Sequence, residues 1–394
     1  MKFGIVTLVA DNYGNKYQNY AVEQLLLPYG TVETFAVKPE APATNANHIP
    51  AWKKLAPRHI AEVVRCRLMG QFGINNTSRS LLGNILYALR HKAELQRIRQ
   101  KRSKAFAVFR AEHLHISGKV LDRENAWNDP WNDSFDCFFC GSDQIWNPTY
   151  ATTSELMFLS FAKGRSVALA PSFGLSVLQE DTKESYQKWL TYVSVLSVRE
   201  KSGQSLIKEL CGRDAELLLD PTMALERSAW DALAKSSGCE LPKKYLLCYF
   251  LGRLDRTYRD IIRTTAKRMG LEIVMLFDVE SPAYYALDPA QVLFCIQNAD
   301  YILTDSFHGT VFSILYHKNF TVLNRNEGEL DMSSRLVTLL DFFGLSDRMG
   351  NTTNETITEE QWEKADRLLA QERLHTRNYI ITAIGKITGN EATT

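Results

Sequence analysis

Short apolar runs that stop at polar turns and lead into helically spaced segments recur along this chain, and that alternation restricts the fold class. Residues 2–10 (KFGIVTLVA) break at the turn 11–15. Residues 17–27 follow with apolar positions near helical spacing, closed by Pro28 and Gly30. Residues 32–37 return as a second strand, which completes a βαβ unit. Its right-handed crossover places the 11–15 turn at the carboxyl edge of a sheet. That turn lacks the GxGxxG fingerprint, so a dinucleotide site is not indicated. Further apolar runs at 135–140, 165–169, 192–198 and 216–219 are separated by helical segments, the pattern of a parallel, doubly wound sheet.

A polar, weakly patterned stretch at 225–241 then interrupts the alternation. A second set of strands follows at 245–251, 271–277, 299–304 and 320–323, and residues 359–384 read as a long terminal helix or helix pair. With 394 residues, 45% hydrophobic, the chain is long enough for two cores. The expected architecture is α/β: two Rossmann-like domains with parallel sheets, facing across a cleft. They span 1–225, carrying a basic helical insertion at 52–110, and 226–394.

That insertion holds fourteen Lys or Arg against two acids, a net of +12 in a chain whose formal charge is +1. The total gives no support to nucleic-acid binding. A solvated helix face over 81–110 is the ordinary reading of such a run. The functional reading is attraction to anionic headgroups at the inner face of a membrane. No run of 18 uninterrupted apolar residues occurs, and the apolar start is cut short at Asp11, so the expected location is the cytoplasm. Seven cysteines, an odd number, suggest free thiols. Cys137 and Cys140 form a CxxC within a strand-like run, so they should point to opposite faces rather than share a metal.

The chemistry concentrates in the turns. Residues 298–320 run from a buried strand through Asp305, Ser306, Phe307, His308 and Gly309 into a helix. A helix start offers unpaired N–H groups and a partial positive charge, and His308 offers a proton donor. Ser142, Asp143, Gln144 and Asn147 follow another apolar strand and suit sugar hydroxyls, with Trp146 as a stacking surface. Asp143, Asp305 and Ser306 are also ordinary helix caps.

Several of these turns together resemble the polysaccharide pyruvyl transferase family. The matching segments are DNYGN with YQNYAVEQLL, GSDQIWNP at 141–148, APSFG at 170–174, SVREKSG at 197–203, LLDPTM at 218–223, DSFHG at 305–309 with FSILYHKNF, and SRLVTLLDFFGL at 334–345. The resemblance implies a fold similar to glycosyltransferase B. It implies transfer of a pyruvyl group from phosphoenolpyruvate to two hydroxyls of a sugar, giving a cyclic ketal in bacterial capsule or exopolysaccharide biosynthesis. It implies no cofactor beyond that donor substrate, and no DxD-like pair or metal cluster is prominent in the sequence, so no metal is required by it. Arg199, Arg335 and Arg325 are then the expected anion binders, His308 the general acid and Asp143 the base. Asn12, Gly14, Asn15, Ser142, Gln144, Asn147, Ser172, Asp305, Ser306 and Gly309 are expected to line the substrates. The acceptor is expected to be a sugar, with a lipid-linked oligosaccharide as the form the basic segment would favour. A nucleotide-sugar glycosyltransferase of the same architecture is the alternative.

Overall fold

A computed structural model describes residues 1–39, 87, 89–128, 130–235, 239–252, 254–324, 334–350 and 356–389. Arg325 and most of the basic segment 52–110 lie outside the described residues. The chain divides into two compact units. Unit 1 comprises 1–46, 109–226 and 363–394; unit 2 comprises 47–108 and 227–362.

In unit 1, β1 (Lys2–Val6) leads into α1 (Tyr13–Leu26) and β2 (Thr31–Val37). Asn12 caps α1 by accepting the Gly14 N–H at 2.8 Å. The helix therefore begins inside the stretch that its composition marks as turn, and Gly14 lies in its first turn. After α2 (Lys92–His113) come β3 (Ile116–Leu121), α3 (Arg123–Asn128), β4 (Cys137–Cys140) and β5 (Ser166–Ala168). Then follow α4 (Glu180–Leu190), β6 (Ser197–Val198), α5 (Lys201–Cys211), β7 (Glu216–Leu217) and α6 (Pro221–Ala224). Among the described residues β1 to β5 form one sheet in the order β3-β2-β1-β4-β5, every pair parallel, while β6 and β7 pair separately.

β4 reads CFFC because both faces of the sheet are covered. Phe138 and Cys140 join the core with Ile145, Trp146, Phe158 and Phe173. Cys137 and Phe139 join the opposite core with Phe3, Ile5 and Val167. The two cysteines thus face opposite ways, as strand alternation dictates. Burial pushes the Cys137 thiol up to about 12 and the Cys140 thiol up as well.

Unit 2 contains α7 (Arg227–Lys235), β8 (Tyr245–Tyr249), α8 (Arg256–Met269), β9 (Glu272–Met275), α9 (Pro282–Tyr285), α10 (Pro289–Gln297), β10 (Tyr301–Thr304), α11 (Phe307–Leu315), β11 (Phe320–Val322) and α12 (Ser334–Phe343). Its sheet is parallel, in the order β11-β10-β8-β9. α10 starts with a full capping box between Asp288 and Gln291, with Pro289 at its first position.

The sequence division differs from these units at two helices. α13 (Glu359–Thr388) was expected to end the second domain, yet Tyr379, Ile380, Ala383 and Ile384 pack with Phe3, Ile5 and Cys137 in unit 1. Their spacing makes one apolar helix stripe, and Tyr379 donates from its hydroxyl to the Ala168 carbonyl at 2.7 Å. In α2, Leu95 and Ile98 pack with Val279 and Tyr285 of unit 2, so part of the basic segment belongs there. Arg102 lies over the rings of Phe106, Phe277 and Tyr285 and is a packing residue. Arg97, Lys101 and Lys104 remain exposed. No helix among the described residues is long and apolar enough to cross a membrane.

Candidate functional site

Each sheet reverses its winding direction at one point, where ligands of open α/β sheets gather beyond the carboxyl ends of the strands. In unit 1 the reversal lies between β1 and β4. Asn15, after β1, donates its side-chain N–H to the Asp143 carboxylate, after β4. In unit 2 it lies between β8 and β10. Asp305, after β10, accepts the Leu251 and Gly252 N–H groups after β8, each at 2.7 Å. An aspartate from the turn of the second strand thus bridges the switch point in both units.

Asp143 has φ of 68°, a left-handed conformation that costs a non-glycine residue about 1–2 kcal/mol. Its carbonyl accepts from the Ser172 N–H at 2.8 Å, which lays the turn after β4 beside the turn after β5. The carboxylate also accepts the Gln144 N–H at 2.9 Å and the Arg199 Nη2–H at 3.2 Å. Its side chain keeps 13% of its surface exposed, against 1% for Arg199.

Arg199 was expected to bind an anion. The structure instead surrounds its guanidinium with carboxylates: Asp220 at 2.6 Å, Asp143 at 3.2 Å and Glu200 at 3.8 Å. Burial opposes the charge, but these neighbours outweigh it and raise the guanidinium pKa above its ordinary value. The arrangement orders carboxylates. Asp220 completes it by accepting from Ser142 Oγ at 3.1 Å and by capping α6 through Thr222 N–H and Oγ–H. Asp220 and Glu200 were missed by sequence reasoning, although the Asp-Pro start of α6 is a cap signature.

Other expected site residues turn inward. Gln144 and Asn147 are buried and bond to each other at 2.6 Å. Ser172 accepts the Gly174 N–H at 2.9 Å. Trp146 is fully buried, stacked on Phe158 at 4.7 Å, and donates Nε1–H to the Met157 carbonyl; it is a core residue, not a sugar platform. Large aromatics at a strand end serve either purpose, and sequence alone does not separate them. Gly174 sits against the inward pair with φ of 69°. A Cβ there would lie 2.2 Å from Gln144 Oε1 and 2.5 Å from Asn147 Nδ2. Gly174→Ala is expected to lower unfolding free energy by about 2–4 kcal/mol, adding left-handed strain to overpacking. Urea denaturation of the two proteins checks this; a loss below about 0.5 kcal/mol refutes it.

Lys16, also missed, belongs to the same end of unit 1. Its side chain is fully buried in the first turns of α1 and donates to the Val9 carbonyl at 3.0 Å, with Asp11 at 3.8 Å. Asp11 in turn pairs with Arg110. Desolvation lowers its pKa to about 8, only partly offset by Asp11, and Arg110 pushes the same way as burial. Between pH 8 and the ordinary lysine value the unfolded chain binds more protons, so stability rises with pH in that window. Relative to Lys16→Met, the wild type should gain about 2–3 kcal/mol of unfolding free energy from pH 7 to pH 10.5. Urea titrations of both proteins across that range read the difference, and a flat difference overturns the assignment.

In unit 2, Thr304 donates its hydroxyl to the Tyr249 carbonyl at 2.7 Å and accepts the Ser306 N–H at 3.0 Å. Ser306 caps α11 by accepting the Gly309 N–H at 3.2 Å. Gly309 is required by close approach, since a Cβ there would lie 2.4 Å from Thr304 Oγ1. His308 is thereby held in the first turn of α11, 7% exposed. Arg335, on α12, lies over the ring of Phe307 at 5.6 Å, next in sequence to His308. His317 lies beyond the end of α11 with φ of 52° and stacks on Trp362 at 4.7 Å. The expected site residues therefore form two sets. Asn15, Ser142, Asp143 and Arg199 lie in unit 1; Asp305, Ser306, His308, Gly309 and Arg335 lie in unit 2.

The family model of polysaccharide pyruvyl transferases matches residues 12–327. No curated protein matches the chain. Among solved structures, UDP-GlcNAc 2-epimerase from Neisseria meningitidis, bound to UDP-GlcNAc, aligns with a TM-score of 0.38 and 9% identity, over 95% of this chain and 100% of that one.

Proposed function

Because this chain belongs to the polysaccharide pyruvyl transferase family, we propose that it transfers the pyruvyl group of phosphoenolpyruvate to two hydroxyls of a sugar in surface polysaccharide biosynthesis. The donor carries a phosphate and a carboxylate, and an arginine fork suits both. The observation that carries the reading is the place of His308 in the first turn of α11, next to Phe307, whose ring lies under the Arg335 guanidinium. Cation, proton donor and helix N–H groups are gathered there, as an anionic enol phosphate requires.

In the proposed reaction His308 protonates C3 of the enol, and positive charge develops at C2. A sugar hydroxyl attacks C2 and gives up its proton. Phosphate then leaves, and the second hydroxyl closes the ketal and gives up its proton; of the two hydroxyl protons, one restores His308 and the other departs with the phosphate as hydrogen phosphate. No electrons are gained or lost overall. Asp143 is assigned as the base because its carboxylate is ordered by Asn15 and Arg199 yet retains exposed surface. Arg199 is reassigned from anion binder to positioning residue. Asp305 supports the turn by tying it to 251–252. The exposed Arg97, Lys101 and Lys104 face favours an acceptor carried on an anionic lipid.

The test measures phosphate release from phosphoenolpyruvate with galactose-, mannose- and glucosamine-containing acceptors, free and lipid-linked, and identifies the product by mass. Acceptor-dependent release with a ketal product is expected. Turnover of a nucleotide sugar with no release from phosphoenolpyruvate overturns the proposal.

A further inference from the structure

Two thiols in unit 2 approach each other outside the turns described above. Cys239 lies in the connection between α7 and β8, and Cys295 on α10; their sulfurs are 3.5 Å apart. They are 56 positions apart in sequence, so the fold alone creates the pair. Cys295 is fully buried, while Cys239 is half-buried and reachable from solvent. α10 is anchored where the Cys295 carbonyl accepts the Tyr245 hydroxyl at 2.6 Å. Residues 239–242, which lead towards β8, carry no helix or strand. Cys137, Cys140 and Cys248 contrast with this pair: each is buried in a strand.

We propose that Cys239 and Cys295 form a reversible redox modification site, which a small-molecule disulfide oxidises to an intramolecular disulfide. The Cys239 thiolate attacks one sulfur of the oxidant, forming a mixed disulfide and releasing one thiolate. Cys295 then loses its proton and attacks Cys239 Sγ, releasing the second thiol. The protein loses two electrons and two protons, and the oxidant becomes two thiols. The assignment of attacking and resolving sulfur follows from access. It agrees with the contact between the two sulfurs, which holds the Cys239 thiol below its ordinary pKa and the Cys295 thiol above it. The link would tie α10 to the segment entering β8, two elements already held together by the Tyr245 bond, so the folded state should accept it.

The experiment incubates the full chain with mixtures of oxidised and reduced glutathione, blocks remaining thiols, and maps peptides by mass without reduction. The wild type should yield the Cys239–Cys295 linked peptides, lighter by two hydrogens, with the other thiols blocked. Cys295→Ser should stop at a glutathione adduct on Cys239. Cys239→Ser should leave Cys295 unmodified. Half-conversion of the wild type should need at least about tenfold less oxidised glutathione than half-modification of Cys295→Ser, because the second step is intramolecular. A stable glutathione adduct on Cys239 in the wild type overturns the proposal, as does a linkage to any other cysteine. Because the wild type carries the test, misfolding of a variant leaves it decisive.

Discussion

His308→Ala is expected to reduce acceptor-dependent phosphate release by about 10²–10⁴-fold, the usual contribution of a positioned proton donor. The imidazole is buried in the first turn of α11, and Ser306 secures that turn independently of it. The substitution should therefore leave the cap intact and shift unfolding free energy far less than the rate. Phosphate release from phosphoenolpyruvate and urea denaturation, measured on the same preparation, separate the two roles. A rate loss proportional to the unfolded fraction would make His308 a packing residue. A full rate in the His308→Ala protein would remove the imidazole from the reaction. His308→Gln is the useful companion, because it preserves volume and a hydrogen-bonding end but cannot carry the proton.

Arg199→Met should be the most damaging single change to the fold, at about 3–5 kcal/mol, the range for stripping one partner from a buried ion pair. The methionine retains much of the volume but removes the guanidinium that pairs with the fully buried Asp220 and the nearly buried Glu200. Domains of this size have about 5–15 kcal/mol in total, so the loss is a large fraction of it. The mechanism makes a second prediction that simple packing loss does not: Asp220→Asn, added to Arg199→Met, should restore part of the stability. Its amide removes the buried charge while one oxygen still caps Thr222. A double-mutant cycle by urea denaturation measures this coupling. Strict additivity would show that charge compensation is not what Arg199 supplies.

The alternation of strands and helices was legible because it is written in spacing: period two or continuous apolarity for β4 and β10, and helical spacing for α1 and α11. The Ser306 cap was legible for the same reason: it acts on an N–H three residues ahead, so the signal and its partner lie within one turn. The Asn12 cap was not, because α1 begins inside a stretch whose composition marks a turn. Inward or outward direction at a strand end was not legible. Trp146 and Asp143 follow the same strand, yet one is stacked in the core and the other lies at the switch point. The C-terminal helix showed its length in sequence but not the sheet it covers, because an apolar stripe specifies a face and not a partner.

Sequence by itself determined the α/β alternation, the Ser306 cap and the family, since each rests on residue types at short, fixed separations. Tertiary structure alone decided that Arg199 is engaged by carboxylates, that Lys16 is buried, and that Cys239 meets Cys295. Arg199 and Asp143 are 56 positions apart, as are Cys239 and Cys295, and Asn15 lies 128 positions from Asp143. The order in which parallel strands assemble brings such partners together, and burial then sets the strength of their charges.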